Sequence, residues 1–206
     1  MLIKIIIMFV IAYLLGSIPS GVWIGTKFYG KDIRQFGSGN SGTTNTFRVL
    51  GKTAGIIVLL ADVLKGTLAA SLPLLFDLPF NPMVMGLGAV LGHTYPIFAQ
   101  FKGGKAVATS AGVLLAYNPP FFIYSVSVFL VLLLLTRMVS LTSMIALPVI
   151  TLSSLFIGDW ILTLIAFILT LFIIYRHREN IQRIRTGTES KVPFGLGYKK
   201  DKKESH

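Results

Sequence analysis

Long apolar stretches, separated by shorter polar segments, run through most of this 206-residue chain. A helix needs roughly 20 mostly apolar residues to cross the hydrocarbon core of a bilayer. The stretch 105–118 is short for a full crossing at a rise of about 1.5 Å per residue, so a tilted helix and a re-entrant segment both stay open. With that stretch counted, the pattern predicts seven transmembrane helices, over residues 3–25, 54–76, 81–99, 105–118, 120–136, 139–157 and 159–175.

Basic residues indicate which helix ends face the cytoplasm, because cytoplasmic loops of membrane proteins are enriched in Lys and Arg. With seven crossings and an outer N-terminus, every Lys and Arg except Lys4 and Lys65 falls in an inner segment. Six crossings would instead place the basic loop 26–53 and the basic C-terminal segment on opposite faces. We therefore predict an all-α polytopic membrane protein with its N-terminus outside and its C-terminus cytoplasmic. Residues 1–198 are predicted to form a single transmembrane domain, and residues 199–206 a charged, disordered tail.

The composition is typical of a membrane protein and excludes several kinds of functional group. Hydrophobic residues make up 53% of the chain and charged residues 13%, whereas soluble domains are about 25% charged. The net charge of +11 follows from the cytoplasmic loops, so we expect the bilayer and not a nucleic acid as the partner. The absence of Cys excludes disulfides, thiolate metal ligands and a Cys nucleophile. No small-residue cleavage site follows the first apolar run, which we expect to be an uncleaved span.

The first polar cluster lies in the long inner loop 26–53. Glycines allow successive backbone N–H groups to converge on one anion, and an Arg guanidinium matches phosphate oxygens. The alternative is a flexible turn between two helices. A Walker loop is excluded, because its Gly-Lys-Ser/Thr ending is missing at the required spacing. The density of donors favours an anion site. Its candidate residues are Gly37, Ser38, Gly39, Asn40, Asn45 and Arg48.

The second polar cluster lies at an inner boundary, where the short stretch 105–118 begins. Two lysines flank two glycines there, and a helix N-terminus would add its dipole and its free N–H groups. The alternative is that the lysines only anchor a span at the interface. His93 is either part of this site or a hydrogen-bonded interior histidine. The candidate residues are His93, Lys102, Gly103, Gly104 and Lys105.

The third polar cluster follows the last span and contains His177, Asn180, Arg183 and Glu189. Residues three or four apart share a helix face, and His is the side chain that exchanges protons near neutral pH. A basic helix that contacts anionic headgroups is the alternative. Ser140, at another inner boundary, is a further candidate donor.

One pair of ionisable residues, Asp62 and Lys65, lies inside a predicted span with a spacing of i and i+3. Each charge alone would cost about 2.5–3.5 kcal/mol at the bilayer centre, so we expect the two side chains to pair toward the protein interior. We interpret this pair as structural.

These segments, in this order, resemble the bacterial acyl-phosphate-dependent glycerol-3-phosphate acyltransferases, the PlsY family. The resemblance covers nearly the whole chain. Two departures occur: the family usually has Gly-Ala-Thr-Asn at Gly42–Asn45 and Lys-Gly-Val at Lys105–Val107. The segments that carry the resemblance are Gly16–Pro19, Gly37–Arg48, Asp62–Gly66, Gly92–His93, Phe101–Thr109, Val139–Leu141, Arg176–Asn180 and Glu189.

The resemblance implies a seven-helix enzyme of the cytoplasmic (inner) membrane, with its active site facing the cytoplasm. Its implied reaction joins an acyl group from acyl phosphate to glycerol 3-phosphate, without a metal or other cofactor, early in phospholipid synthesis. The enzyme that makes acyl phosphate is then a candidate partner. The implied roles are activity for Ser38, Arg48, His177 and Asn180, glycerol 3-phosphate binding for Lys102–Lys105, and structure for Glu189.

We combine these roles with the residue pattern in one hypothesis. Arg48 and the Gly37–Asn40 segment bind acyl phosphate, while Lys105, with Ser140 and Lys102, binds glycerol 3-phosphate. The proton acceptor stays open between His177 and the outgoing phosphate. The residues themselves do not distinguish acyl phosphate from an acyl thioester as the donor.

Other classes of protein fit the sequence less well. The H-x-x-x-x-D motif of soluble-type acyltransferases is missing, because Phe98 and Gln182 follow the histidines at that spacing. A CDP-alcohol phosphotransferase would need clustered Asp residues, whereas membrane-proximal Asp is nearly limited to Asp32 and Asp62. A lipid phosphatase would need the sequence Pro-Ser-Gly-His, but Val22 follows Pro19–Gly21 here. A small anion transporter would need donors near the bilayer midplane between broken helices, and the donors here lie at one face.

Overall fold

A computed structural model describes residues 1–198 and shows helices, turns and loops over that range, without a β-strand. The prediction of an all-α fold is confirmed for these residues, and the predicted tail over 199–206 lies outside them. The α-helices of the described range are α1 (Leu2–Gly16), α2 (Ser20–Tyr29), α3 (Thr43–Leu50), α4 (Lys52–Leu75), α5 (Pro82–Thr94), α6 (Val107–Tyr117), α7 (Pro119–Thr136), α8 (Val139–Ser154), α9 (Trp160–Arg176) and α10 (Arg178–Arg185). Short 3-10 helices cover Ile33–Gln35, Ile97–Ala99 and Leu155–Ile157. The chain divides into two compact units, Met1–Phe122 and Ile123–His206.

Within residues 1–198, three helices are long and apolar enough to cross a membrane: α4, α7, and α8 together with the 3-10 helix that follows it. The number rises to five if the bent pairs α1–α2 and α9–α10 each form one span. Helices α5 and α6 have 13 and 11 residues, or roughly 20 and 17 Å at 1.5 Å per residue, which is less than a hydrocarbon core. The predicted count of seven spans therefore stays a prediction.

Two of the predicted spans are associated with a bend. A bend interrupts the first predicted span, and another bend separates the last span from the helix that follows it. Helices α1 and α2 meet at 41°, where the predicted stretch 3–25 runs through Pro19. Proline lacks the N–H that a continuous helix requires, so the backbone opens there. The carbonyl oxygen of Ile18 accepts a hydrogen bond from Lys65 Nζ at 2.9 Å. Helices α9 and α10 meet at 55° around His177, which ends one helix and begins the next.

In the first unit, α4 packs closely against α6, and α1 packs closely against α5. A Cβ atom on Gly112 would overlap the carbonyl oxygen of Val63, and one on Gly92 would overlap that of Tyr13. Small residues let helix backbones approach in this way inside a membrane, where van der Waals packing drives helix association. The arrangement brings the end of α5 and the start of α6 beside the polar segment of α4. One cluster of buried apolar residues in this unit consists of Met8, Ala12, Ala69, Leu72, Met85 and Ala89.

In the second unit, hydroxyl pairs connect α8 to α9. The Oγ1 atoms of Thr151 and Thr170 lie 2.8 Å apart, and both side chains are buried. The segment after α10 folds back along the chain: Val192 N donates to the carbonyl of Arg137 at 2.7 Å, and Leu196 N donates to that of Leu134 at 2.8 Å. In this arrangement Glu189 contacts α10 and the start of α8.

Candidate active site

Asn45 organises the first polar loop. The residue is 1% exposed, and its Nδ2 lies within hydrogen-bond distance of the carbonyl oxygens of Ile33, Phe36 and Asn40, at 2.8, 3.1 and 2.9 Å. Its Oδ1 accepts the N–H of Ser38 at 2.9 Å. The side chain predicted to bind substrate is thus engaged on both amide atoms by the loop backbone, which suits it to holding the loop in shape.

Arg48, an exposed residue of α3, packs beside Gly37, the residue before Ser38. Gly37 and Gly39 have left-handed backbones, with φ of 61° and 71°, and the Arg48 Cδ atom passes within 3.2 Å of the place where a Gly37 Cβ would stand. The N–H groups of Ser38 and Gly39 donate to Asn45 Oδ1 and to the Phe36 carbonyl. Those two amides are therefore committed within the loop, and the Ser38 hydroxyl and the Arg48 guanidinium are better placed for an anion.

The Asp62–Lys65 pair is buried and joins several segments of the first unit. Lys65 Nζ lies 2.8 Å from Asp62 Oδ1, and the two side chains are 6% and 3% exposed. Ser20 Oγ, at the start of α2, donates to Asp62 Oδ1 at 3.2 Å, while Thr43 Oγ1, at the start of α3, donates to Oδ2 at 3.3 Å. His93 Nδ1 approaches Asp62 Oδ1 to 3.6 Å. The carboxylate thereby connects α2, α3, α4 and α5.

The second polar loop runs against the end of α5. Gly104 N donates to the carbonyl of His93 at 3.1 Å, and a Cβ on Gly103 would overlap the same oxygen. Lys102 is exposed and Lys105 is half-buried. Ala106 caps α6 with a left-handed φ of 60°, so this chain places alanine in a conformation that favours glycine.

The first loop also reaches the segment that precedes the second loop. Arg34 Nη1 donates to the carbonyl oxygen of Ala99 at 3.3 Å, while its remaining donors hold Asp32. Two clusters that are more than forty residues apart in sequence are thus connected within the first unit by the Arg34–Ala99 hydrogen bond and by the Asp62 carboxylate.

Glu189 is the centre of the third cluster. Its Oε1 accepts hydrogen bonds from Ser140 Oγ and Asn180 Nδ2, both at 2.8 Å, and its Oε2 accepts one from Arg183 Nε at 2.7 Å. Burial disfavours the ionised form, but the hydrogen bonds from Arg183, Ser140 and Asn180 prevail and hold the pKa of Glu189 below its ordinary value. The three predicted substrate or catalytic side chains are therefore oriented by one carboxylate.

His177 is 3% exposed, and its Nδ1 lies 2.8 Å from the carbonyl oxygen of Ile173. A carbonyl can only accept, so Nδ1 must carry a proton. In the neutral ring the lone pair then lies on Nε2, and that nitrogen can accept a proton. The backbone contact thus selects the tautomer that a general base requires.

Arg137 was not among the predicted site residues. Its guanidinium donates to the carbonyl oxygens of Phe194 and Val192 at 3.1 and 3.2 Å, and it lies 5.0 Å from the ring centroid of Tyr198. These bonds hold the segment that carries Glu189. Ser20 and Thr43, the hydroxyl partners of Asp62, were not predicted either, because these contacts form only when α2 and α3 pack against α4.

Comparison with known proteins decides the family. Residues 6–187 match the glycerol-3-phosphate acyltransferase family. The chain belongs to this family. The glycerol-3-phosphate acyltransferase of Enterococcus faecalis is 65% identical over 98% of both chains, and that of Lactiplantibacillus plantarum is 59% identical over 97% of this chain and 98% of its own.

Solved structures support the same assignment. The chain resembles the crystal structure of PlsY, an integral membrane glycerol 3-phosphate acyltransferase, in its glycerol 3-phosphate form, with a TM-score of 0.84. The two chains are 41% identical, and the match covers 92% of this chain and 96% of the other. The lysophosphatidic acid form of PlsY matches with a TM-score of 0.80 at 40% identity, over 92% and 95% of the two chains. The prediction of a membrane-integral acyltransferase of this family is confirmed.

As for a metal, no group of three or more His, Asp or Glu side chains within residues 1–198 is arranged to hold one. The polar groups of the first two clusters are instead cationic side chains, hydroxyls and amides. Such donors are suited to phosphate, the group that a glycerol-3-phosphate acyltransferase must bind.

Proposed function

We propose that this chain transfers an acyl group from acyl phosphate to glycerol 3-phosphate and releases 1-acylglycerol 3-phosphate (lysophosphatidic acid) and phosphate. The similarity to PlsY structures in glycerol 3-phosphate and lysophosphatidic acid forms carries the proposal, because these are the acceptor and the product. In the reaction a glycerol hydroxyl oxygen attacks the acyl carbon. The bond from that carbon to the phosphate oxygen breaks, phosphate leaves with the electron pair, and the hydroxyl proton passes to a base.

We assign acyl phosphate to Ser38 and Arg48. The donor is a mixed anhydride and is already activated, so the protein has mainly to bind its phosphate and stabilise the charge that develops as it leaves. The exposed Arg48 guanidinium beside Gly37 offers two parallel donors for phosphate oxygens, and the Ser38 hydroxyl offers a third.

We assign glycerol 3-phosphate to the loop Lys102–Lys105, with Lys105 as the principal cation. Two phosphate-bearing substrates repel each other, and cationic side chains on separate loops offset that repulsion. Holding both reactants in the correct orientation can lower the barrier by about 7–11 kcal/mol. Lys105→Ala should therefore raise the KM for glycerol 3-phosphate more than that for the donor.

In the second unit we propose that His177 Nε2 or the outgoing phosphate takes the hydroxyl proton. Asn180, Ser140 and Arg183 are proposed as polar substrate contacts that Glu189 keeps in place. If His177 is the base, His177→Ala lowers kcat far more than it raises either KM. An unchanged kcat would assign the proton to the phosphate instead.

We further propose seven transmembrane helices, an outer N-terminus and an active site that faces the cytoplasm at the cytoplasmic (inner) membrane. In support, every Lys and Arg except Lys4 and Lys65 lies on the inner side in that arrangement. The enzyme that produces acyl phosphate is the partner we expect on this face, since the donor is reactive and its acyl chain is membrane-soluble.

The test is acyl transfer by the purified protein in detergent, with glycerol 3-phosphate and either palmitoyl phosphate or a palmitoyl carrier thioester. We expect lysophosphatidic acid from the acyl phosphate alone, with one phosphate released per product. Product from the thioester alone would refute the donor, and no product from either would refute the function. Arg48→Ala should lose the activity, whereas Arg178→Ala, which removes a guanidinium stacked on Tyr175, should keep it.

A further inference from the structure

His93 lies between the buried ion pair and the glycine loop. Its Nδ1 is 3.6 Å from Asp62 Oδ1, the oxygen that also binds Lys65 Nζ at 2.8 Å. The histidine is 8% exposed, so this approach takes place away from bulk water, where electrostatic contacts are stronger. One edge of the imidazole ring thereby faces the ion pair on α4.

The opposite edge of the same ring packs on the glycine loop. A Cβ built on Gly104 would overlap His93 Nε2 and would stand within 3.1 Å of the neighbouring ring carbons. The backbone of His93 takes part as well, since its carbonyl oxygen accepts the N–H of Gly104 at 3.1 Å. The loop between Lys102 and Lys105 therefore contacts both the ring and the main chain of His93.

We propose that His93 is a positioning residue: it connects the Asp62–Lys65 pair to the loop Lys102–Lys105 and sets that loop for the phosphate of glycerol 3-phosphate. This role replaces the predicted role of His93 as a direct substrate ligand. It also gives the buried ion pair a function beyond its own stability. The proposal rests on the proposed function, because it takes Lys105 as the glycerol 3-phosphate ligand.

Kinetics separate positioning from a purely structural role. His93→Ala should raise the KM for glycerol 3-phosphate by about tenfold, a loss of about 1.4 kcal/mol of binding, with kcat and the KM for acyl phosphate changed less than about threefold. His93→Asn places an amide where Nδ1 stands and keeps a donor toward Asp62, so it should recover part of the loss. Equal changes in both KM values, or an unchanged KM for glycerol 3-phosphate, would overturn the proposal.

A size-compensation experiment tests the packing directly, with a matched control in the neighbouring glycine. Gly104→Ala should lower the unfolding temperature and raise the KM for glycerol 3-phosphate, because the new methyl meets the His93 ring. Adding His93→Ala removes the ring and should reverse much of the loss in unfolding temperature, while the KM for glycerol 3-phosphate stays at the level of His93→Ala alone. Gly103→Ala meets the backbone oxygens of His93 and Thr94, which remain when the ring is gone, so His93→Ala should not rescue it.

The outcomes of this experiment are distinguishable. Rescue of both glycine variants, or of neither, would overturn the role of the His93 ring. If the wild-type protein makes no lysophosphatidic acid, the proposed function fails, and the unfolding temperatures still decide whether the ring packs on Gly104. Should His93→Ala alone not fold, His93→Asn takes its place in the same cycle, since it also removes the ring edge over Gly104.

Discussion

At the scale of single residues, Asn45 contributes its whole side-chain amide to the shape of one loop. Four backbone groups, from Ile33 to Asn40, bond to it, and it is buried. A buried polar group that loses its partner costs about 1–3 kcal/mol, so removal of this amide affects several groups at once. Ser38 is held through its N–H, which makes its hydroxyl position depend on Asn45.

We predict that Asn45→Ala lowers the stability by about 2–4 kcal/mol and strongly reduces acyl transfer. Asn45→Asp should be at least as damaging, because a carboxylate would face three carbonyl oxygens that need donors. Thermal unfolding in detergent and the transfer assay measure both effects. Thr44→Ala, at an exposed position one residue earlier on α3, is the control and should change little. Wild-type stability in Asn45→Ala would contradict the hydrogen-bond assignment.

Ala106 has a left-handed backbone at the entrance of α6. Such a conformation costs an L-residue roughly 1–2 kcal/mol, and Ala106 is buried, so its methyl group offsets about 0.8 kcal/mol of that cost. We predict that Ala106→Gly keeps the activity and changes the stability by no more than about 1 kcal/mol, in the favourable direction. Ala106→Val should destabilise clearly, because β-branched residues rarely adopt positive φ. Equal unfolding temperatures for Val and Gly variants would contradict the left-handed φ.

At the scale of elements, α10 and the segment after it depend on the ionised Glu189. Its folded-state pKa lies below the ordinary value of 4.5. A carboxyl group with a lowered pKa contributes stability that is present above the unfolded pKa and is lost as the pH falls through the folded one. The cluster of Ser140, Asn180 and Arg183 should therefore loosen in acid.

We predict that Glu189→Gln is less stable than the wild type at pH 7. This difference should begin to shrink as the pH falls below about 4.5, the ordinary pKa, and should disappear as the pH passes through the lower pKa of the folded-state carboxyl. Thermal unfolding at several pH values from 7 to about 3.5 measures the difference. Glu179→Gln, at an exposed position on α10, is the control and should follow the wild type throughout. A difference that grows toward low pH would contradict the lowered pKa.

At the scale of the whole molecule, the number and direction of the spans are the main prediction. Helix length supports three to five spans among the described residues, while the positions of the basic residues favour seven crossings. Helices α5 and α6 are short, but glycines of each pack closely against another helix of the first unit. A short helix can stay at membrane depth when it is enclosed by protein in this way.

The chain has no cysteine, so single introduced cysteines report the topology without a background. We predict that a membrane-impermeant maleimide applied to intact cells labels Asp77→Cys but not Gln35→Cys or Thr188→Cys, all at exposed positions. Opening the membrane should expose the latter two. Labelling of Gln35→Cys and Thr188→Cys from different sides would exclude seven crossings and a common cytoplasmic face.

Much of the architecture could be predicted from local sequence. Apolar runs of sufficient length become helices in a bilayer, because every backbone N–H and C=O must then be bonded within the segment. The break at Pro19 is also visible in the sequence, although the predicted span 3–25 ran through it. The family could be identified because its motifs are short and contiguous, as in Gly37–Arg48 and Phe101–Thr109.

The partners of the site residues could not be predicted, because they come from distant parts of the chain. Nothing near Asp62 in sequence indicates that Ser20, Thr43 and His93 meet it, and nothing near Glu189 indicates Ser140. The same holds for Asn45: its bonds to the loop backbone could not be predicted, and its role in substrate binding stays a prediction. The length of an apolar run and the position of a charge are local properties of the sequence. Their consequences depend on the bilayer, which is a similar solvent for every membrane protein. Hydrogen-bond partners and left-handed turns depend on which backbones approach each other, and that is specified by packing over the entire chain.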